Sequence, residues 1–213
     1  MNSRNHRATP YRKADTMTQL KISRRSALAG SLSALLFGVP KAARAEVLGR
    51  LRAGGHVIYF RHAATTWSGV DRVEWPRARQ RLLSEEGIRQ SEIIGAAFRD
   101  LQIPVGEVLA SPFARCRDMA EIAFGRVEER MALIGLLSDE AGRDERAAFL
   151  RSLLADRPTD GTNRVVVAHR SNIERVAGAR LAEGEAVILN PDGQGAFDVG
   201  QTLMPDEWGA LAV

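Results

Sequence analysis

Arg61-His62, Ser111-Pro112-Phe113-Ala114-Arg115 and His169-Arg170 are the groups in this sequence whose residue types and setting point to chemistry. Each follows directly on a short apolar run: Val57–Phe60, Val108–Ala110 and Val165–Ala168. A guanidinium offers a planar fork of donors that matches phosphate oxygens and stays charged at any working pH. An imidazole is a nucleophile when one ring nitrogen faces an electrophile and the other is held by a hydrogen bond. Two histidines and several arginines brought together therefore describe a pocket for a phosphoryl group, with one histidine attacking and the remaining groups spreading the charge of the transition state. Two histidines without a third ligand at recognisable spacing make a weak metal site, and no metal or organic cofactor is expected.

The elements that must position these groups read as alternating strands and helices. The three apolar runs are short, rich in Val, Ile and aromatic residues, and predict buried strands. Glu85–Asp100 predicts a helix, with Ser84 as N-cap, acids in the first turn and Ile94, Phe98 and Leu101 on one face. Ala114–Phe124 predicts a second helix, punctuated by Gly125. A strand is expected at Arg130–Leu133, and helices over Glu145–Leu154 and Asn172–Arg180. Val187–Leu189, the turn Asn190-Pro191-Asp192-Gly193 and Ala196–Leu203 predict a closing hairpin. The fold class is α/β in three layers, a mostly parallel sheet with helices on both faces. In such sheets ligands bind beyond the carboxyl ends of the strands, where the histidines and arginines fall.

The chain has 213 residues and a net charge of +4, but the two ends of it differ in sign. Residues 1–45 hold nine Lys or Arg and one Asp, whereas the remainder holds 21 Arg and no Lys against 25 acids. The basic balance belongs to the leader, so nucleic-acid binding loses its compositional support. Ser23-Arg24-Arg25, the apolar run 27–39 and Ala43-Arg44-Ala45 predict an export signal cut near Ala45, resembling the twin-arginine type, with Met17 as an alternative start. Thirteen apolar residues are too few to span a bilayer. The expected organisation is an export signal over 1–45 and one domain over 46–213, periplasmic or secreted, with a twin-arginine or secretory translocon as transient partner. The single Cys116 excludes a disulfide framework.

Phe60-Arg61-His62-Ala63-Ala64-Thr65 resembles the Arg-His-Gly-x-Thr signature of the histidine phosphatase superfamily, which includes the phosphoglycerate mutases. Leu83-Ser84-Glu85-Glu86-Gly87 with Gln90 is similar to its Leu-Thr-x-x-Gly-x-x-Gln segment. Ser111-Pro112 with Arg115 is similar to its Ser-Ser/Pro-x-x-Arg segment, and Ala168-His169 with Ile173 to its late Gly-His element. The four motifs run in the family's order over Val57–Ile173. The resemblance implies a phosphoglycerate-mutase-like fold without a large cap domain, His62 as nucleophile, Arg61 and Arg115 on phosphate, and His169 as the second pocket histidine. Thr65, Arg81 and Arg170 are the candidate substrate contacts, with Arg170 alternatively a residue of a solvated face.

Two departures bear on mechanism. Ala63 stands where the family keeps Gly, and Arg170 stands where its acid phosphatases and phytases keep a proton-donating Asp. The mutase-like branch has a Glu between its second Arg motif and late His. Here that interval offers Glu128, Glu129, Asp139 and Glu140, of which Asp139 and Glu140 are the candidate general acids, with Glu128, Glu129 or an acid in the Trp67–Arg81 stretch as the alternatives. A leaving group of low pKa, or a phosphohistidine substrate, needs no acid. The implied activity is hydrolysis of a phosphomonoester, on a phosphorylated small molecule or a cell-envelope substrate. A phosphate-binding relative without turnover and a phosphomutase are the rival readings. The Arg- and Trp-rich stretch Trp67–Arg81 is either a lid, with Arg81 or Gln80 reaching inward, or a surface loop. Arg117 is a contact or a surface residue, while His56 and Cys116 read as structural and His6 has no role.

Overall fold

The computed structural model of the chain describes residues 41–137 and 141–212. The arginine pair and the apolar run of the leader lie outside the described residues, as do Asp139 and Glu140. In chain order the elements are α1 (Lys41–Ala53), β1 (Val57–Arg61), α2 (Glu85–Asp100), β2 (Val105–Ala110), α3 (Ala114–Phe124), β3 (Glu128–Glu129), α4 (Arg143–Ala155), β4 (Asn163–Ala168), α5 (Arg170–Ala177), β5 (Ala186–Pro191) and β6 (Phe197–Leu203). The six strands form one sheet in the order β3-β2-β4-β1-β5-β6. The first four are mutually parallel. β5 runs antiparallel to β1, and β6 returns antiparallel to β5 as the closing hairpin.

β1 reads as a continuous apolar run because both of its faces are covered. Ile58 and Phe60 enter a core built with α1, α2 and α3, whereas Val57 and Tyr59 enter a second core built with α4 and α5. β4 divides in the same way, Val165 and Val167 to the first core and Val166 and Ala168 to the second. Side chains that alternate across a strand thus meet helices on either side, the three layers of the fold. The first core is aromatic at its centre: Trp208 lies 4.7 Å from Phe98 and 5.8 Å from Phe60, centroid to centroid. Among the described residues the longest connection, 62–84, is a looped segment with one short 3-10 turn at Arg77–Arg79, and no cap domain is inserted.

α2 begins where the Ser84 hydroxyl accepts from the Gly87 N–H at 3.2 Å, with Glu85 and Glu86 in its first turn. α3 has no side-chain cap of its own. Gln80, 34 residues earlier, supplies one by accepting from the Ala114 N–H at 2.9 Å. Two expectations need correction. Instead of a strand at Arg130–Leu133 there is the two-residue β3, followed by a 3-10 turn at Met131–Leu133 that carries Leu133 into the second core. The helix expected over Asn172–Arg180 starts two residues earlier, directly after β4, and ends at Gly178, whose φ of 71° stops it. α1 has no counterpart among the sequence expectations; its Val47, Leu48 and Leu51 are buried in the core that holds Trp208 and Leu211.

Candidate active site

β1, β2 and β4 end in step. The His62 N–H donates to the Ala168 carbonyl and the Ser111 N–H to the Val167 carbonyl, each at 3.0 Å. That register leaves His62, Ser111 and His169 side by side, with the two imidazole centroids 5.7 Å apart. Tyr59, fully buried beneath them, fixes the backbone of His169: its hydroxyl donates to the His169 carbonyl at 2.8 Å and accepts the His169 N–H at 3.1 Å.

The two rings are held in opposite tautomers. Nδ1 of His62 lies 2.9 Å from the Ala63 carbonyl, which can only accept, so Nδ1 carries the proton and Nε2 the lone pair. Burial, and next the charge of Arg115, lower the pKa of His62 to about 3, so the ring is neutral at ordinary pH. Nδ1 of His169 faces the Arg115 guanidinium at 3.5 Å, which can only donate. His169 therefore carries its proton on Nε2 and donates to the Ser111 hydroxyl at 2.9 Å. Burial, then Arg115, keep its pKa well below the ordinary value.

Three guanidinium groups surround the histidines. Arg61 donates to the Leu181 carbonyl at 3.1 Å and to Glu183 at 3.0 Å. Arg81 donates to the Trp67 carbonyl at 2.9 Å and to the Thr65 hydroxyl at 2.7 Å. Arg115 is buried in the first turn of α3, over the Phe113 ring, with Nη1 2.9 and 3.0 Å from the two carboxylate oxygens of Asp71. Its Nε is buried without a partner among the described residues. Arg61, His62, Asp71, Arg81, Arg115, His169 and the rim residue Arg170 line one cavity of about 240 Å³. Larger cavities exist, such as one of about 720 Å³ lined by α4 residues and Gly193, but that one holds no histidine.

The motif from Leu83 to Gln90 is a cradle for the turn that follows His62. The Ser84 N–H donates to the Ala64 carbonyl at 3.0 Å, and Gln90 accepts the Ala64 N–H at 3.0 Å. A Cβ on Gly87 would fall 2.0 Å from the Ala64 carbonyl oxygen, so no larger residue fits there. The segment 67–81 forms a wall of the cavity: Asp71 grips Arg115 and accepts the Arg81 N–H at 2.8 Å, while Gln80 donates to the Val73 and Trp75 carbonyls. Both residues named in the lid reading reach inward, Arg81 to the cavity and Gln80 to the start of α3.

Of the sequence candidates, the structure brings together His62, His169, Arg61, Arg115 and Arg81, with Arg170 half exposed at the rim beside Glu174. Thr65 does not line the cavity; its hydroxyl supports Arg81 and donates to the Trp67 carbonyl. Arg117 pairs with Glu129, and Glu128 with Arg130, at the exposed edge around β3. His56 bonds Asn190 at 3.0 Å, and Cys116 is a core residue whose burial pushes its thiol pKa up to about 12. Asp71, the Ser111 hydroxyl and Glu183 carry contacts that sequence reasoning did not assign. Only membership of the 67–81 stretch, where Asp71 and Glu74 are the two acids, pointed toward Asp71.

The model of the histidine phosphatase superfamily, branch 1, matches residues 57–139, a stretch that includes His62 and Arg115 and ends before His169. The structure of the protein histidine phosphatase SixA complexed with tungstate superposes with a TM-score of 0.55 at 16% identity, covering 71% of this chain and 98% of that one. This chain carries the histidine phosphatase fold. The same fold relates it to the protein of open reading frame Rv3214 from Mycobacterium tuberculosis, with a TM-score of 0.51 at 18% identity over 71% of this chain and 98% of that one. A phosphoserine phosphatase variant from Entamoeba histolytica, in complex with phosphoserine, gives 0.50 at 13% identity over 69% and 95%. No curated protein matches the sequence.

Proposed function

We propose that this chain is a phosphomonoester hydrolase working through a phosphohistidine on His62. The observation that carries the reading is an unprotonated Nε2 on His62 in a cavity ringed by Arg61, Arg81, Arg115 and His169. In the first step Nε2 attacks phosphorus, the N–P bond forms, and the P–O bond to the leaving group breaks. The guanidinium groups take up the charge on the phosphoryl oxygens, and the Nδ1–H bond to Ala63 steadies the ring as it gains positive character. In the second step water attacks phosphorus, the N–P bond breaks, and the electron pair returns to Nε2.

The chemistry suits a sugar phosphate, a lipopolysaccharide phosphate or a phosphohistidine protein. The likeness to a protein histidine phosphatase and to a phosphoserine phosphatase supports phosphoryl chemistry without choosing among these. Export by the leader is part of the proposal. Its support is that, among the described residues, Lys41, Ala42 and Ala45 are exposed, Ala43 and Arg44 are half-buried, and the first buried residue is Val47, just past the expected cut. A phosphomutase reading requires the leader not to be a signal. The purified chain is assayed for phosphate release from a panel of phosphomonoesters; turnover is expected. Phosphate binding without release from any member favours the binding relative instead.

A further inference from the structure

The leaving oxygen needs a proton, and neither imidazole supplies it. His62 attacks through an unprotonated Nε2, and burial keeps both rings neutral. Among the described residues two acids line the cavity, Asp71 and Glu174. Glu174 sits at the rim, its side chain 37% exposed, with Arg180 at 2.7 Å. Asp71 is 3% exposed and lies inside, held by Arg115, which also reaches His169.

We propose that Asp71 is the general acid that protonates the leaving oxygen and, as the carboxylate, the base that then takes a proton from the attacking water. This rests on the hydrolase reading. Asp71 holds the Arg115 guanidinium through both of its carboxylate oxygens. A phosphoryl dianion is a competing acceptor for the same Nη1 and for the partnerless Nε. As Arg115 turns to the phosphate, the Asp71 carboxyl is left beside the phosphoryl oxygens at the cavity wall, where it can carry a proton to the leaving oxygen. When the P–O bond breaks, its electron pair stays on the leaving oxygen, which takes that proton from Asp71. The carboxylate so formed accepts the proton of the water that attacks the phosphohistidine, which regenerates the acid and frees Nε2.

The test is Asp71→Asn, which keeps the shape and an acceptor for Arg115, assayed on glycerol phosphate and nitrophenyl phosphate with one preparation. The ratio of the two rates is independent of how much protein has folded. For glycerol phosphate, whose leaving alkoxide needs the proton, kcat/KM should fall by roughly a hundredfold to a thousandfold. For nitrophenyl phosphate it should fall by less than about tenfold, with a burst of nitrophenol as phosphoenzyme accumulates for want of a base. Asp71→Glu should recover part of the glycerol phosphate rate. Equal losses on both substrates without a burst would overturn the assignment, reduce Asp71 to orienting Arg115, and leave the hydrolase reading standing. A selective loss in Asp139→Ala or Glu140→Ala, with none in Asp71→Asn, would overturn it likewise. A wild type that releases phosphate from no member of the phosphomonoester panel overturns the hydrolase reading itself.

Discussion

His62 owes its reactive form to contacts with protein alone. The Ala63 carbonyl selects the tautomer, and burial with Arg115 nearby keeps the ring neutral. This has a consequence for stability. In the unfolded chain the imidazole titrates near 6.5, in the fold near 3. Between those values the unfolded chain binds a proton that the fold refuses, so stability present above pH 6.5 is lost as the pH falls toward 3. His169, lowered for the same reason, acts in the same direction. Urea midpoints taken at about pH 7.5 and about pH 5 should drop further in the wild type than in His62→Gln. Equal drops would mean that the ring is not held neutral. The histidines and Arg115 were legible in sequence because each follows an apolar strand. Asp71 was not, because its partner Arg115 lies 44 residues on, and nothing periodic marks a loop contact of that span.

The elements differ in how much of themselves they show in sequence. β1 and β4 were plain, since burial on both faces makes Val57–Phe60 and Val165–Ala168 unbroken apolar runs. β3 has two exposed glutamates and no apolar pattern, and it exists because β2 offers an edge for pairing. The Leu83–Gln90 motif was legible as a helix start, but its second role required the fold: Ser84, Gly87 and Gln90 all face the turn after His62. Gly87→Ala sets a methyl 2.0 Å from a backbone oxygen, and neither α2 nor the turn can yield without moving His62. A displacement of order 1 Å costs on the order of a hundredfold in turnover, which is the loss expected, together with a lower Tm. Turnover at the wild-type level would show that the cradle does not hold the nucleophile.

At the scale of the whole molecule, charge and burial divide the chain at nearly the same place. The net positive charge belongs to 1–45, and among the described residues the first buried one is Val47. A chain beginning at Glu46 should therefore melt at the same temperature as the full chain. One beginning at Gly54 loses Val47, Leu48 and Leu51 from the core, each worth about 1.5–3 kcal/mol. Against a typical total of about 5–15 kcal/mol, that loss should leave it largely unfolded. Residues 1–45 fused to a reporter should deliver it to the periplasm, and Arg24→Lys with Arg25→Lys should block delivery if the route is the twin-arginine one. A reporter that stays inside would remove the export proposal without touching the phosphatase reading.

The covalent step on His62 is the centre of the account, and trapping it is the most direct measurement. Wild type mixed with a labelled phosphomonoester and quenched rapidly should carry label on protein, stable in alkali and labile in acid, as a phosphoramidate is. His62→Ala should carry no label and release no phosphate, because no neighbouring side chain presents a free imidazole nitrogen to phosphorus. A His62→Ala enzyme that hydrolyses the substrate at near the wild-type rate would contradict the account.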